Sequence, residues 1–221
     1  MAIACETLNI MEAGHTGETT FTAARRLVVN KQAFNHKFAT MKYNNNWLIE
    51  KYQAKEKLKF IFFWGHRPSA DGSVTQSCFS QWWTAPFTVN GVTYKTAEHW
   101  MMAGKARLFN DDATLQKILA ANTPDEVKKL GRQVKRFDPA SWDAHKFDLV
   151  VEGNHHKFSQ HPALKTFLIN THDRILVEAS PMDRIWGIGM AASNEHVENP
   201  LLWRGHNLLG YALMVVRDQF K

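Results

Sequence analysis

Phe87-Thr-Val-Asn-Gly-Val-Thr-Tyr94 runs directly into Lys95-Thr-Ala-Glu-His-Trp-Met-Met-Ala-Gly-Lys105, and this stretch decides the fold class. Asn90-Gly91 supplies the positive φ angles that a two-residue hairpin turn needs, so 87–94 reads as a β-hairpin. Thr96 stands where a helix N-cap belongs, so a helix carrying Glu98 and Lys105 follows. These two residues are seven apart and return to nearly the same helical face, about 20° out of register. Met101 and Met102 lie on or beside that face. A carboxylate and an amine flanked by thioethers suit the wall of an active site; a plain amphipathic helix is the competing reading.

Working outward, Phe60-Ile-Phe-Phe-Trp64 is an apolar run of strand length, and Arg174-Ile-Leu-Val-Glu-Ala179 reads as a second strand ended by Ser180-Pro181. Helix starts are legible at Asp111 or Asp112, at the Thr123-Pro-Asp-Glu126 capping box, at Ser141, and at His161-Pro162. Asn199-Pro200 reads as the opening of a last helix from Leu201 to about Phe220. Residues 1–57 read as an N-terminal extension of uncertain order that carries no catalytic group. Within it, 20–38 has a loose apolar stripe through Phe21, Ala24, Leu27, Val28 and Phe34, which predicts a helix. Residues 58–221 are expected to form one α+β domain, mainly helical, whose small sheet includes 174–179 and the hairpin.

Among 221 residues, 44% are hydrophobic and 22% charged, the balance of a soluble globular chain. No apolar run is long enough to span a bilayer, and the N-terminus lacks the pattern of a secretory signal. A cytoplasmic address is therefore expected. Two cysteines, Cys5 and Cys78, cannot make a disulfide framework or the usual thiolate zinc site. The densest histidine group, His155-His156 with His161, lacks a carboxylate in a metal motif, so no metal is assigned. The net charge of +6 favours anionic ligands, and its scatter suits a phosphorylated small molecule at least as well as a polymer.

Three further segments carry candidate chemistry. Glu178-Ala-Ser-Pro-Met-Asp183-Arg-Ile-Trp186-Gly-Ile-Gly189 is a loop after a strand, with an acid, a stacking surface and flexible glycines. Gly65-His-Arg67 with Cys78-Phe79-Ser80-Gln-Trp82-Trp83 offers a phosphate clamp in Arg67 and a base pocket in its aromatics. Gly131-Arg132 and Lys157 add anion contacts. For each residue alone, a core aromatic or a solvated charge is the ordinary reading.

The order of these segments says more than any one of them. Phe63-Trp-Gly65, Phe79-Ser80, Glu98-His-Trp100, Lys105, Gly131-Arg132, Lys157-Phe158, 178–189 and Gly205-His-Asn207-Leu-Leu-Gly210 occur in the sequence of the NADAR or YbiA-like N-glycosidase family, which the chain resembles over about 58–221. It departs at Trp64 and in a longer 66–77 loop. The resemblance implies cleavage of an N-glycosidic bond between a ribose and a base. The substrates it implies are ribosylamino-pyrimidine phosphates of the riboflavin pathway, or ADP-ribosylated guanine with transient contact to nucleic acid. It implies no cofactor, and oligomeric state stays open. Glu98, Lys105 and Asp183 are the implied catalytic residues. Trp186, Gly65, Arg67, Phe79, Ser80, Trp82, Trp100, Arg132, Lys157, Gly189 and Asn207 are the implied substrate contacts. A neutral Lys105 can attack C1 of the sugar and form a Schiff base, with Glu98 or Asp183 moving protons. Alternatively the two carboxylates suffice, one as acid and one as base. The competing class is a nucleotide-binding module, for which these acids would be dispensable and binding steeply salt-dependent.

Overall fold

A computed structural model of the chain describes residues 41–221, so the helix expected over 20–38 lies outside the described residues. Seven α-helices and two pairs of short strands make up the described fold. In chain order these are α1 (Asn45–Gln53), β1 (Phe60–Phe63), β2 (Phe87–Val89), β3 (Val92–Tyr94), α2 (Ala97–Leu108), α3 (Asp112–Ala120), α4 (Pro124–Arg132), α5 (Pro139–Gln160), α6 (Pro162–Ile169), β4 (Ile175–Glu178) and α7 (Leu208–Gln219). The protein is α+β and mainly helical.

The strands form two separate sheets rather than one. β1 and β4 pair in parallel, Phe60 opposite Ile175 and Phe63 opposite Glu178, while β2 and β3 form the antiparallel hairpin. Asn90 and Gly91 both have positive φ, +50° and +78°, the geometry the hairpin turn demands. α7 packs on β4, α5 on α7, and α2 on α5, with α3 and α4 on the far side of α2. Gly104 and Gly153 allow the α2–α5 contact: a Cβ at Gly104 would meet Leu149 at 2.5 Å, and one at Gly153 would meet Trp100 at 2.3 Å.

Caps explain most helix starts. The Thr96, Asp111 and Thr123 side chains accept from the N–H groups of His99, Thr114 and Glu126. Two starts differ from expectation. α5 begins at Pro139, capped by Asp138, whose carboxylate takes both the N–H and the hydroxyl of Ser141. The last helix begins at Leu208, and Pro200–Leu202 makes only a 3₁₀ turn. Between them the chain runs beside the loop after β4, Arg204 N–H donating to Ile188 and Asn207 N–H to Gly187, and a helix there would forfeit those bonds.

The described part of 1–57 is seated on the rest. Leu48 of α1 is fully buried, Asn45 exchanges hydrogen bonds with the Gly205 carbonyl and the Tyr211 hydroxyl, and Tyr43 donates to Asp218. The expected boundary at 57/58 therefore falls between α1 and β1, inside a packed body.

Candidate active site

The site lies at the carboxyl ends of the parallel pair, where ligands commonly sit in open sheets. A cavity of about 270 Å³ is lined by Glu98, Met101, Met102 and Lys105 from α2, and by Lys128, Gly131 and Arg132 from α4. Glu178 from the end of β4, Asp183, Ile185 and Trp186 from the loop after it, and Ser80, Gln81 and Trp82 close the remaining sides, with Trp142 and Leu209. Glu98 and Asp183, 85 residues apart in the chain, thus meet across one cavity.

Three carboxyl groups share this space. Glu98 is 4% exposed, and burial pushes its pKa up to about 7; Lys128 opposes the rise, Asp183 adds to it, and a hydrogen bond with the Trp82 side chain opposes it. Glu178 rises further, to about 8, first through burial and then through the negative charges of Asp183 and Glu98, against the pull of Lys128. Its Oε2 is buried with no hydrogen-bond partner. Asp183 is shaped differently: its Oδ1 accepts the N–H groups of Ile185 and Trp186, each at 2.8 Å, which fixes the turn that presents the Trp186 ring. Burial and mutual repulsion thus favour the protonated forms of Glu98 and Glu178, beside a third acid that is tied into its own loop.

Lys105 is half-buried. Its amine donates to the Gly131 carbonyl at 2.8 Å and lies 4.1 Å from the Phe137 ring centroid and 5.6 Å from that of Trp142. Desolvation lowers its pKa, while the carbonyl and the two rings favour the ammonium. Gly131 is needed here for another reason: a Cβ would stand 2.0 Å from the Met102 sulfur.

Of the expected substrate contacts, Ser80, Trp82, Arg132 and Trp186 line the cavity, and seven others do not. Gly65 and Arg67 sit in an exposed loop, where Gly65 has φ +80°. Phe79 is a core residue against Phe63, Phe158 and Phe167. Trp100 is buried on the other side of α2, its indole N–H satisfied by the Leu149 carbonyl. Lys157 is fully buried and donates to the Cys78 and Ser80 carbonyls at 2.6 and 3.0 Å, so it staples the turn bearing Trp82. Gly189 donates its N–H to the Asp183 carbonyl with φ +64°, shaping the loop from behind. Asn207 is fully buried beneath Glu178.

Glu178 lines the cavity as well, beyond the expected residues; β4 alone offers no sign that its last side chain reaches a cavity. Lys128 was missed too, because a helical Lys-Lys pair is ordinarily solvated. These histidines have protein neighbours: His155 meets Gln219, His156 lies tilted beside the Trp100 ring, and His161 meets the Pro86 carbonyl. Among the described residues, no cluster of three or more histidine, cysteine or acidic side chains is placed to hold a metal ion. No described helix is long and apolar enough to cross a membrane.

Comparison with known proteins agrees with this architecture. An N-glycosidase of Acanthamoeba polyphaga mimivirus is 43% identical over 166 residues, spanning 73% of this chain and 96% of the viral protein. An N-glycosidase of Nostoc punctiforme is 33% identical over 144 residues, covering 65% and 85% of the two chains. The NMR structure of Escherichia coli YbiA superposes with a TM-score of 0.58 at 28% identity, over 73% of this chain and 84% of that one. Residues 62–221 match the NADAR domain, and the chain belongs to that family.

Proposed function

We propose that the protein is an N-glycosidase, a hydrolase that cleaves the bond between a phosphorylated ribose and a base, with ribosylamino-pyrimidine phosphates of the riboflavin pathway as its substrates. The relatives named as N-glycosidases support the reaction class. The observation that carries the reading is three carboxyl groups on one cavity, two of them raised to about 7 and about 8. A base leaves a sugar poorly as an anion, so an acid that keeps its proton near neutrality is what the step requires. A volume of about 270 Å³ sits at the small end of ligand pockets, fitting one nucleotide better than a dinucleotide.

In this scheme Trp186 and Trp82 face the base, and Lys128 and Arg132 meet the phosphate. Glu178 protonates the departing nitrogen as the C1′–N bond breaks. Lys105, after giving up a proton, bonds through its amine to C1′; the C1′–O4′ bond then breaks as a proton passes from that nitrogen to O4′, and water activated by Glu98 or Asp183 hydrolyses the resulting imine, returning the amine and the free sugar phosphate. A second reading, hydrolysis by the carboxylates without a covalent intermediate, is favoured by the aromatic seat of Lys105, which stabilises its charged form.

Base release measured by mass spectrometry, with ribosylamino-pyrimidine phosphates and ADP-ribosyl-guanosine run in parallel, tests the substrate class. Release from ADP-ribosyl-guanosine alone would reassign it, and release from neither would sink the reaction. Borohydride added during turnover separates the schemes: a reduced sugar adduct on Lys105 supports the imine. No adduct, with Lys105→Arg turning over near the wild-type rate, supports the carboxylates alone.

A further inference from the structure

β4 has a neighbour on one side only among the described residues. On that side Ile175 donates its N–H to the Lys59 carbonyl and Ala179 donates to that of Phe63. The backbone groups of Leu176 and Glu178 therefore face the other way, toward an edge with no strand. Asn207 occupies that edge. Its side-chain carbonyl accepts the Glu178 N–H at 3.0 Å, and its amide nitrogen donates to the Leu176 carbonyl at 2.9 Å. One donor and one acceptor meet two of these groups, the Leu176 carbonyl and the Glu178 N–H, as a peptide unit of a third strand would, while the Glu178 carbonyl accepts the Ile188 N–H.

The surroundings are built for this. Asn207 is fully buried and adopts a left-handed conformation, φ +51°, which asparagine tolerates better than most residues. A Cβ at Gly210 would lie 2.0 Å from the Leu176 carbonyl oxygen and 2.6 Å from the Asn207 Oδ1, so only glycine lets α7 approach this edge. A Cβ at Gly205 would meet the Gly187 carbonyl at 2.2 Å, which keeps the chain before Asn207 against the loop after β4. The motif Gly205-His-Asn207-Leu-Leu-Gly210 thus docks a side chain onto a strand end.

We propose that Asn207 is a positioning residue for catalysis, standing in for the missing strand on the open edge of β4 and fixing the direction in which the Glu178 side chain enters the cavity. It touches no substrate. The proposal rests on the N-glycosidase reading for its catalytic consequence and on geometry alone for its effect on Glu178.

Two variants test it. Asn207→Gly keeps the left-handed backbone and deletes both side-chain bonds. Asn207→Asp keeps the accepting oxygen, loses the donor and adds a negative charge. The titratable groups that share the cavity with Glu178 are Glu98 and Lys105 of α2, Lys128 and Arg132 of α4, and Asp183 of the following loop, while Tyr211 of α7 lies beside Asn207 and donates to Asn45. Steady-state base release by Asn207→Gly, corrected for folded fraction, should show kcat reduced roughly 100-fold with KM little changed, the signature of a misplaced group. A second readout needs no substrate: ¹³C NMR titration of the glutamate carboxyls, with Glu178 assigned by its loss in Glu178→Gln. Its midpoint should move toward the ordinary glutamate range in Asn207→Gly and upward in Asn207→Asp; if the glycine variant does not fold, the aspartate variant decides. A wild-type kcat in Asn207→Gly, or a midpoint unmoved in the variants that fold, overturns the proposal. Should the wild type release no base from either substrate class, the proposed activity falls, and the titration alone still decides the placement of Glu178.

Discussion

Two lysines within the matched domain, Lys105 and Lys157, each donate to backbone carbonyls, yet the regions around them differ. Lys105 near the end of α2 is half-buried, with its amine over two rings on the wall of the cavity. Lys157 near the end of α5 is sealed in, its pKa brought down to about 8 by burial, and its protons are directed at two carbonyls of the turn before Trp82. An amine with one carbonyl partner and an open face can meet a ligand; an amine held by two carbonyls in the core holds the frame. Exposure and partners, rather than residue type, separate the roles.

The contrast breaks most sharply on activity. Lys105→Ala is expected to lower kcat on the order of 10³-fold, with stability changed by about 1 kcal/mol, because alanine suits a helix and a single carbonyl, that of Gly131, loses its lysine donor. Glu98→Gln should lose activity to a similar degree while still binding product. Steady-state kinetics beside thermal melts check both; a Lys105→Ala protein with near-wild-type turnover would make Lys105 a second Lys157.

Lys157→Met is expected to act the other way round. It leaves the Cys78 carbonyl without its Lys157 donor, at about 1–3 kcal/mol, and the Ser80 carbonyl with only the Trp83 N–H, so the melting temperature should fall well before the activity of the remaining folded protein does. Urea unfolding monitored together with base release separates the two effects. Lost turnover at unchanged stability would place Lys157 in the chemistry.

Glu178 offers a pH test with a definite sign. Its carboxyl titrates at about 8 in the folded protein, against an ordinary value of 4.5. Between these values the folded protein keeps a proton that the unfolded chain has released, so this group's contribution to stability is full below 4.5 and is lost as pH rises toward about 8. Glu178→Gln should therefore melt progressively higher than wild type as pH is raised through that window, while losing the acid and with it turnover. Equal melting of the two proteins at pH 5 and pH 9 would contradict a buried, proton-holding Glu178.

The smallest effect concerns the N-terminal region. Removing residues 1–40 should leave turnover within about twofold, because every residue lining the cavity lies after them in the chain. Removing residues 1–57 deletes α1 and the fully buried Leu48, and should cost about 2–5 kcal/mol of stability. Melting curves of the two truncations check the difference.

How much was legible follows from the range of each signal. The Asn90-Gly91 turn, the Thr96 cap and the shared face of Glu98 and Lys105 are set by neighbours within seven residues, and all three stand in the structure. The β1–β4 pairing joins segments 115 positions apart, Phe60 with Ile175, and nothing local announces it. Glu178 reaches the cavity only through that pairing and the edge that Asn207 covers, so its place could not be read from β4 alone. Phe79 and Trp100 have the residue types of a base pocket but face the core, a choice made by packing. Asn199-Pro200 has the chemistry of a helix start, yet backbone bonds to the loop after β4 delay the helix to Leu208.

The most direct test is base release itself. Wild-type protein and Glu98→Gln are incubated with a ribosylamino-pyrimidine phosphate, and free base and ribose phosphate are quantified by mass spectrometry. The account predicts both products in equal amounts from the wild type and almost none from the folded variant. Equal release by the two proteins, or no release by the wild type from this substrate and from ADP-ribosyl-guanosine, would contradict it.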